Sequence, residues 1–182
     1  MIQSARCEFF PFSPGTIRST LIEYSLLRRM SIILDPHCAL CQGPGGDILW
    51  QDGLCRVVRV GGAEGNDYPG YCRIIWRDHV REMTDLDTSE RHRLMTLVFA
   101  TESALRRLYA PDKINLASLG NLVPHLHWHV IPRFLDDPHF PSPIWSGERP
   151  RGNRAAAGPV VDNPALHQAI SRAMSEASGE NV

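Results

Sequence analysis

Three histidines at alternate positions carry most of the chemistry that this sequence can offer. His125, His127 and His129 are separated by Leu126 and Trp128. Successive side chains of a β-strand point to opposite faces, so on a strand the three imidazoles would line one face. Imidazoles titrate near neutral pH and serve as nucleophiles, acid–base groups or metal ligands. Because adjacent imidazolium ions repel each other, stability alone does not favour such a row, and we predict a functional site here.

A second group of reactive side chains is the C-x-x-C pair formed by Cys38 and Cys41. Two thiolates are half of a tetrahedral zinc site, so the pair alone is weak evidence for a metal. The alternative is that both cysteines are reduced and packed. The chain has five cysteines at irregular spacing. This odd number favours free or metal-bound thiols in a reducing cytoplasm over a disulfide framework.

The segments around the histidines predict an α+β fold. Runs rich in β-branched and aromatic residues predict five strands, at residues 48–51, 55–60, 72–77, 113–119 and 125–131. The first two strands flank the Asp52-Gly53 turn, and residues 61–67 are expected to form a polar loop. Pro124 and Pro132 are expected to frame the last strand, where ladder pairing ends.

One long helix is expected to cover this sheet. Asp87 and Glu90 form a capping box for a helix that continues to Tyr109. Its apolar positions recur at helical spacing, at Leu94, Leu97, Val98, Thr101, Leu105 and Leu108. The element order therefore predicts an antiparallel sheet with one long helix packed on one face and the histidines on the opposite, open face.

Composition divides the chain into three regions. Residues 1–29 are expected to be a disordered extension or to precede a start at Met30, with an accessory helix as the alternative. Residues 30–145 are expected to form the domain, and within them residues 141–145 to fold back over the site. Residues 146–182 are expected to be a flexible linker followed by a short C-terminal helix at 164–175.

The net charge of −1 argues against broad electrostatic binding to nucleic acid polymers or membranes. No apolar run approaches the length of a transmembrane span, and the start of the chain lacks a signal-peptide pattern. The expected location is therefore the cytoplasm.

The H-x-H-x-H pattern followed by two apolar residues resembles the signature of the histidine triad (HIT) family. Residues 113–125 are similar to the strand and loop that precede the family's triad, and residues 68–80 to its P-G-H-x-L strand followed by a histidine. The resemblance covers about residues 38–145. The sequence of residues 121–133 is similar to that of a bacterial branch of diadenosine polyphosphate hydrolases.

The resemblance implies a hydrolase that cleaves dinucleoside polyphosphates or nucleoside phosphoramidates at the nucleoside-proximal phosphate. His127 would be the nucleophile and form a nucleotidyl-histidine, which water then hydrolyses. A backbone carbonyl of residues 115–119 would orient it. His129 would contact a phosphate oxygen or the leaving group, and His125 would extend the hydrogen-bond network.

The expected substrate-binding residues are Asn115, Asn121, His129 and His79. Asn121 stands where many family members carry glutamine, and the family's N-x-G-x-x-G loop is matched only at Asn115 and Gly120. This departure puts the choice of substrate in doubt more than the nucleophile.

The resemblance also suggests how the cysteine pair could be completed. Some relatives add a histidine from the loop after the third strand and the first histidine of the triad. Here these are His79 and His125, which gives a candidate structural zinc site of Cys38, Cys41, His79 and His125. No metal is required for the attack itself.

Other functions remain open from the sequence. The same intermediate would serve a nucleotidyltransferase, and an inactive site would make a nucleotide-binding sensor. A metal centre on all three triad histidines is another class, although no acidic residue stands in the strand. Relatives commonly dimerise through the long helix and a neighbouring strand, so a homodimer with residues 113–119 as the protected edge strand is expected.

Overall fold

The structure of the protein is a computed structural model that describes residues 32–147, 149–150 and 158–179. The chain divides into two compact units, residues 1–33 and 34–182, and the second contains the sheet and the helices that pack on it. The predicted extension at residues 1–29 lies outside the described residues, and so does part of the predicted linker.

Five strands form one antiparallel sheet in the order β1-β2-β3-β5-β4. Their bounds are β1 Asp47–Gln51, β2 Cys55–Arg59, β3 Cys72–Trp76, β4 Lys113–Ala117 and β5 His127–Arg133. In the β1–β2 turn, the Asp52 carboxylate accepts the backbone N–H groups of Leu54 and Cys55 at 2.8 and 2.7 Å. The predicted hairpin and the antiparallel sheet are confirmed.

The helices are α1 Ala39–Gln42, α2 Gly62–Asp67, α3 Thr88–Tyr109 and α4 Asn163–Ser178, with a 3₁₀ turn at Met83–Asp85. The predicted capping box starts α3, because Asp87 accepts the Glu90 N–H and Glu90 accepts the Asp87 N–H, both at 2.8 Å. The helix ends where Ala110 adopts a left-handed conformation before Pro111. None of the helices in the described residues is long and apolar enough to cross a bilayer.

Both long helices lie on one face of the sheet. The main core joins the apolar side of α3 to β2, β3 and β5, and α4 adds Leu166, Ile170 and Met174 to it. Asp162 caps α4 by accepting the Ala165 N–H at 2.9 Å. The predicted α+β architecture, including a C-terminal helix, is confirmed.

Two local expectations are wrong. Residues 62–67 form α2 instead of a loop, since this polar segment has no apolar periodicity that would reveal a helix. The last strand begins at His127 and continues through Pro132, which lies opposite Ile114. Proline has no N–H to donate to a neighbouring strand. It is tolerated at residue 132 because the pairing of β5 with β3 has already ended at Val130.

The strand alternation separates the histidines from their apolar neighbours. Leu126, Trp128 and Val130 join the core under α3. The triad lies on the other face, but that face is not open as expected, since His125, His127 and His129 are only 1%, 8% and 5% exposed. Two smaller apolar clusters cover it, one of Cys38, Leu40, Val58 and Ile75, and one of Val60, Tyr68, Tyr71, Ile131 and Ile144. The segments before β1 and after β5 therefore fold over the site.

Candidate functional site

His127 is held as a neutral imidazole with one nitrogen available. Its Nδ1 lies 2.6 Å from the carbonyl oxygen of His125. A carbonyl only accepts, so the proton is assigned to Nδ1 and the lone pair to Nε2. Burial lowers the pKa of His127, the hydrogen bond to His125 opposes this, and the charge of Arg73 lowers it further. This is the protonation state that a nucleophilic imidazole needs.

The orienting carbonyl differs from the expected one. It comes from His125 and not from the strand at residues 115–119. His125 precedes β5, so no neighbouring strand pairs with its backbone and its carbonyl is available to the imidazole two residues later. The adjacent strand contributes differently, because the Ser118 hydroxyl donates to the carbonyl of His127 at 2.9 Å.

His129 lies edge-on to His127, with 4.8 Å between ring centroids. Its Nδ1 is 2.6 Å from the Tyr71 hydroxyl, and its ring also meets Trp145 at 4.9 Å. Burial, aided by the charges of His127 and Arg73, lowers the pKa of His129 to about 3. Burial also raises the pKa of Tyr71 to about 12, so the phenol keeps its proton. His129 is therefore neutral at neutral pH, with Nδ1 occupied by Tyr71.

His125 faces a different set of groups. Its Nδ1 lies 3.5 Å from the Cys38 sulfur and 3.4 Å from the Cys41 sulfur, and the Nδ1 of His79 lies 3.4 Å from Cys41. One ligand atom from each of the four residues lies within 4.8 Å of the others. Zinc–sulfur and zinc–nitrogen bonds at tetrahedral angles place S and N about 3.5 Å apart, so this donor set fits zinc.

The second nitrogens of both ligand histidines are also engaged. His125 Nε2 donates to the Trp76 carbonyl at 2.7 Å, and His79 Nε2 lies 3.6 Å from the Asp35 carboxylate. The hydrogen bond to Trp76 fixes the His125 tautomer that leaves Nδ1 available to a metal. Among the described residues this is the one cluster of converging metal-ligand groups, and neither His127 nor His129 belongs to it. The geometry therefore does not favour a metal centre on all three triad histidines.

The predicted asparagines occupy different surroundings. Asn115 is half-buried on β4, and its Oδ1 accepts from Arg133 at 2.6 Å. Asn121 is exposed in the loop before the triad, and no hydrogen bond joins its side chain to the rest of the described chain. His79 stands in the cysteine cluster, in edge contact with His125 at 5.3 Å.

A buried ion pair anchors the segment that covers the site. Arg133 and Asp137 are 2% and 0% exposed and form a bidentate pair at 2.6 and 3.0 Å. Arg133 also donates to the Ser142 carbonyl at 2.9 Å. Burial would raise the pKa of Asp137, but the hydrogen bonds and charge of Arg133 hold it below its usual range. This network fixes the chain that brings Trp145 onto His129, as expected for residues 141–145.

Sequence reasoning did not identify Tyr71 and Arg73 as site residues. Tyr71 comes directly before β3 and Arg73 lies on β3, two residues later and directly opposite His129 in the sheet. Only the register of β3 against β5 reveals this, and the alternation along residues 71–75 was the available signal.

The HIT domain family model matches residues 47–136. The fold is similar to a histidine triad protein from Marinobacter aquaeolei (27% identity, TM-score 0.54), with 79% of this chain and 94% of that chain covered. It is also similar to a histidine triad protein from Bradyrhizobium japonicum (25% identity, TM-score 0.53), with 79% and 97% covered. A histidine triad protein from Sinorhizobium meliloti shares the fold at 22% identity and TM-score 0.55, with 81% and 98% covered.

No curated protein sequence matches the chain significantly. The family match nevertheless includes the triad, and the similar structures cover most of the chain. Residues 47–136 of the chain are therefore a histidine triad (HIT) domain.

Proposed function

We propose that this protein is a nucleotide hydrolase that uses His127 as its nucleophile. One observation carries the proposal: the Nδ1 of His127 is bound to a carbonyl at 2.6 Å, so its Nε2 lone pair is free beside a second neutral histidine. The HIT domain supports a nucleotide substrate. The proposed substrates are dinucleoside polyphosphates or nucleoside phosphoramidates, as in the bacterial hydrolase branch that residues 121–133 resemble.

The reaction proceeds in two displacements. The Nε2 lone pair attacks the nucleoside-proximal phosphorus, and the bond to the leaving group breaks. Water then attacks the nucleotidyl-histidine, releases a nucleoside monophosphate and regenerates His127. Two easier steps replace one difficult displacement. His129 directs its Nε2 toward a phosphate oxygen or the leaving group, since Tyr71 already occupies Nδ1.

The remaining substrate contacts are assigned to Asn115 and Asn121. Asn121 is exposed in the loop that leads into the triad, where a bound phosphate can reach it. Asn115 already accepts from Arg133, which leaves its amide N–H groups for the nucleotide. His79 is assigned to the cysteine cluster in preference to phosphate, because it contacts Cys41 and His125.

We also propose a structural zinc ion held by Cys38, Cys41, His79 and His125. The two sulfurs and two nitrogens fit tetrahedral coordination, and both histidines have outer partners. The metal would join α1 to the loop after β3 and to the residue whose carbonyl orients His127. It would supply no chemistry to the displacement.

A homodimer through α3 and β4 and a cytoplasmic location complete the proposal. β4 is an edge strand of the sheet, and Phe99 on α3 is 56% exposed. An unprotected edge strand and an exposed aromatic side chain each favour a second copy as cover. The four cysteines among the described residues form no disulfide, which suits a reducing compartment.

The test is incubation with diadenosine tetraphosphate and with an adenosine phosphoramidate, with products separated by chromatography. The wild type is expected to release AMP, and His127→Ala is expected to release none. His92→Ala, at an exposed histidine of α3, is the matched control and should retain full activity. Nucleotide binding without turnover of either substrate would contradict the hydrolase and favour a transferase or a sensor.

A further inference from the structure

Arg73 lies on the triad face, beside the reacting residues. It is directly opposite His129 in the β3–β5 register. Its guanidinium carbon is 5.4 Å from the centre of the Tyr71 ring, and Tyr71 is bonded to His129. The charge of Arg73 also lowers the pKa of His129.

The hydrogen bonding of Arg73 is incomplete. Its Nη2 donates to the Glu64 carboxylate at 2.7 Å, but its Nε is buried and makes no hydrogen bond with the described residues. Arg133, by contrast, donates hydrogen bonds to Asp137, Asn115 and Ser142. A buried donor without a partner is costly, so it indicates an acceptor that arrives from outside the chain.

The charge at the site points to the nature of that acceptor. The substrates proposed above carry anionic phosphate oxygens, whereas burial keeps His129 neutral. Neutral imidazoles do not balance a phosphate charge, and a guanidinium offers parallel N–H donors that match phosphate geometry.

We propose that Arg73 binds the phosphate oxygens of the nucleotide and exchanges its bond to Glu64 for them. The inference rests on the proposed function for the identity of the substrate. Glu64 is 48% exposed on the six-residue helix α2, while the Arg73 side chain is only 23% exposed. An ion pair to an exposed carboxylate contributes little, so a phosphate displaces Glu64 readily. When no nucleotide is bound, Glu64 then holds the Arg73 guanidinium in place.

Calorimetric titration with AMP, adenosine and inorganic pyrophosphate tests this assignment, because none of the three requires turnover. Arg73→Gln is expected to weaken AMP and pyrophosphate binding about ten- to hundredfold and to leave adenosine unchanged. Glu64→Gln is expected to tighten AMP binding about two- to fivefold, since it removes the competing carboxylate. Arg93→Gln, on α3, breaks a comparable ion pair with Asp52 in the β1–β2 turn and should change none of the affinities.

The outcomes separate this inference from the hydrolase proposal. Equal weakening of AMP and adenosine by Arg73→Gln would overturn it, because the residue would then meet the sugar or base. Matching losses in Arg73→Gln and Glu64→Gln would also overturn it, by showing that the pair is only structural. A wild type that binds pyrophosphate through Arg73 but hydrolyses nothing would contradict the hydrolase and leave the phosphate site standing.

Discussion

The three triad histidines differ in what occupies their Nδ1 atoms. His125 directs Nδ1 to two sulfurs, His127 directs it to a carbonyl, and His129 directs it to a tyrosine hydroxyl. Each contact fixes a tautomer, and the tautomer decides which nitrogen faces the substrate. Identical side chains on one face thus acquire different hydrogen-bond partners, which suit the proposed roles of metal ligand, nucleophile and phosphate contact.

Buried neutral histidines predict a loss of stability in acid. The pKa of His129 is about 3 in the folded protein, against an ordinary value of 6.5. Between these values the unfolded chain takes up a proton that the folded chain does not, so the free energy of unfolding falls as the pH falls through this window and is unaffected above it. The contribution is at most about 1.4 kcal/mol per pH unit.

Urea unfolding at pH 7, 5.5 and 4.5 measures this effect. His129→Gln should show a shallower decline with falling pH than the wild type, because the glutamine does not titrate. Identical declines in the two proteins would show that the pKa of His129 is the same in the folded and the unfolded chain, which contradicts the lowered value.

At the residue scale, strand spacing predicted the shared face of the triad, and the family resemblance implied the candidate zinc ligands. The sequence did not predict the carbonyl that binds His127, since that depends on where β5 begins. Arg73 and Tyr71 were missed because strand register, which pairs Arg73 with His129, does not appear in any single segment.

At the scale of elements, the site depends on two segments that fold over the sheet. α1 and its cysteines cover one end, and the chain after β5 covers the other. Neither segment is stabilised by regular sheet pairing. One is linked to the sheet through the four-residue cluster, and the other through the Arg133–Asp137 pair.

Loss of a cluster ligand should release zinc and destabilise the protein. Cys41→Ser is expected to lower the zinc content from about one per chain to near none and the thermal midpoint by about 5 °C or more. His37→Ala, at an exposed neighbour outside the cluster, is the control and should retain the metal. Elemental analysis and thermal unfolding measure the two effects. Full zinc retention in Cys41→Ser would exclude the proposed site.

Breaking the buried ion pair should lower the free energy of unfolding more than breaking an exposed one. Asp137→Asn leaves the buried Arg133 charge without its carboxylate and should cost about 3 kcal/mol of unfolding free energy. Turnover should fall as well, because Trp145 loses its support beside His129. The control is Glu176→Gln, in the exposed pair with Arg107, where little change is expected.

Urea titration and initial-rate assays of both variants measure this prediction. Equal stability of Asp137→Asn and the wild type would show that the segment after β5 is held by other contacts.

At the scale of the whole molecule, most of the architecture was predictable. The Asp52-Gly53 turn defined the first hairpin, and the capping box at Asp87 together with Pro111 defined the long helix. Local signals of this kind predict the folded structure well because they do not depend on distant partners. For the covering of the histidine face, the sequence predicted only that residues 141–145 fold back over the site. The full burial of the triad was not predictable, since it depends on how irregular segments pack against side chains far away in sequence.

Assembly is the remaining question at this scale. Light scattering at micromolar concentration should give twice the mass of the 20.4 kDa chain, because the β4 edge and Phe99 require cover. Phe99→Arg should shift the mass to that of a monomer, whereas the exposed α3 variant His92→Ala should remain dimeric. A monomeric wild type would exclude the proposed dimer.

The location of the covalent intermediate tests the central claim most directly. Rapid quenching of the wild type with an adenylylated substrate, followed by peptide mass spectrometry, should find an adenylyl group on the imidazole of His127 and none in His127→Ala. An adduct on another residue, or turnover that persists in His127→Ala, would contradict the account of this site.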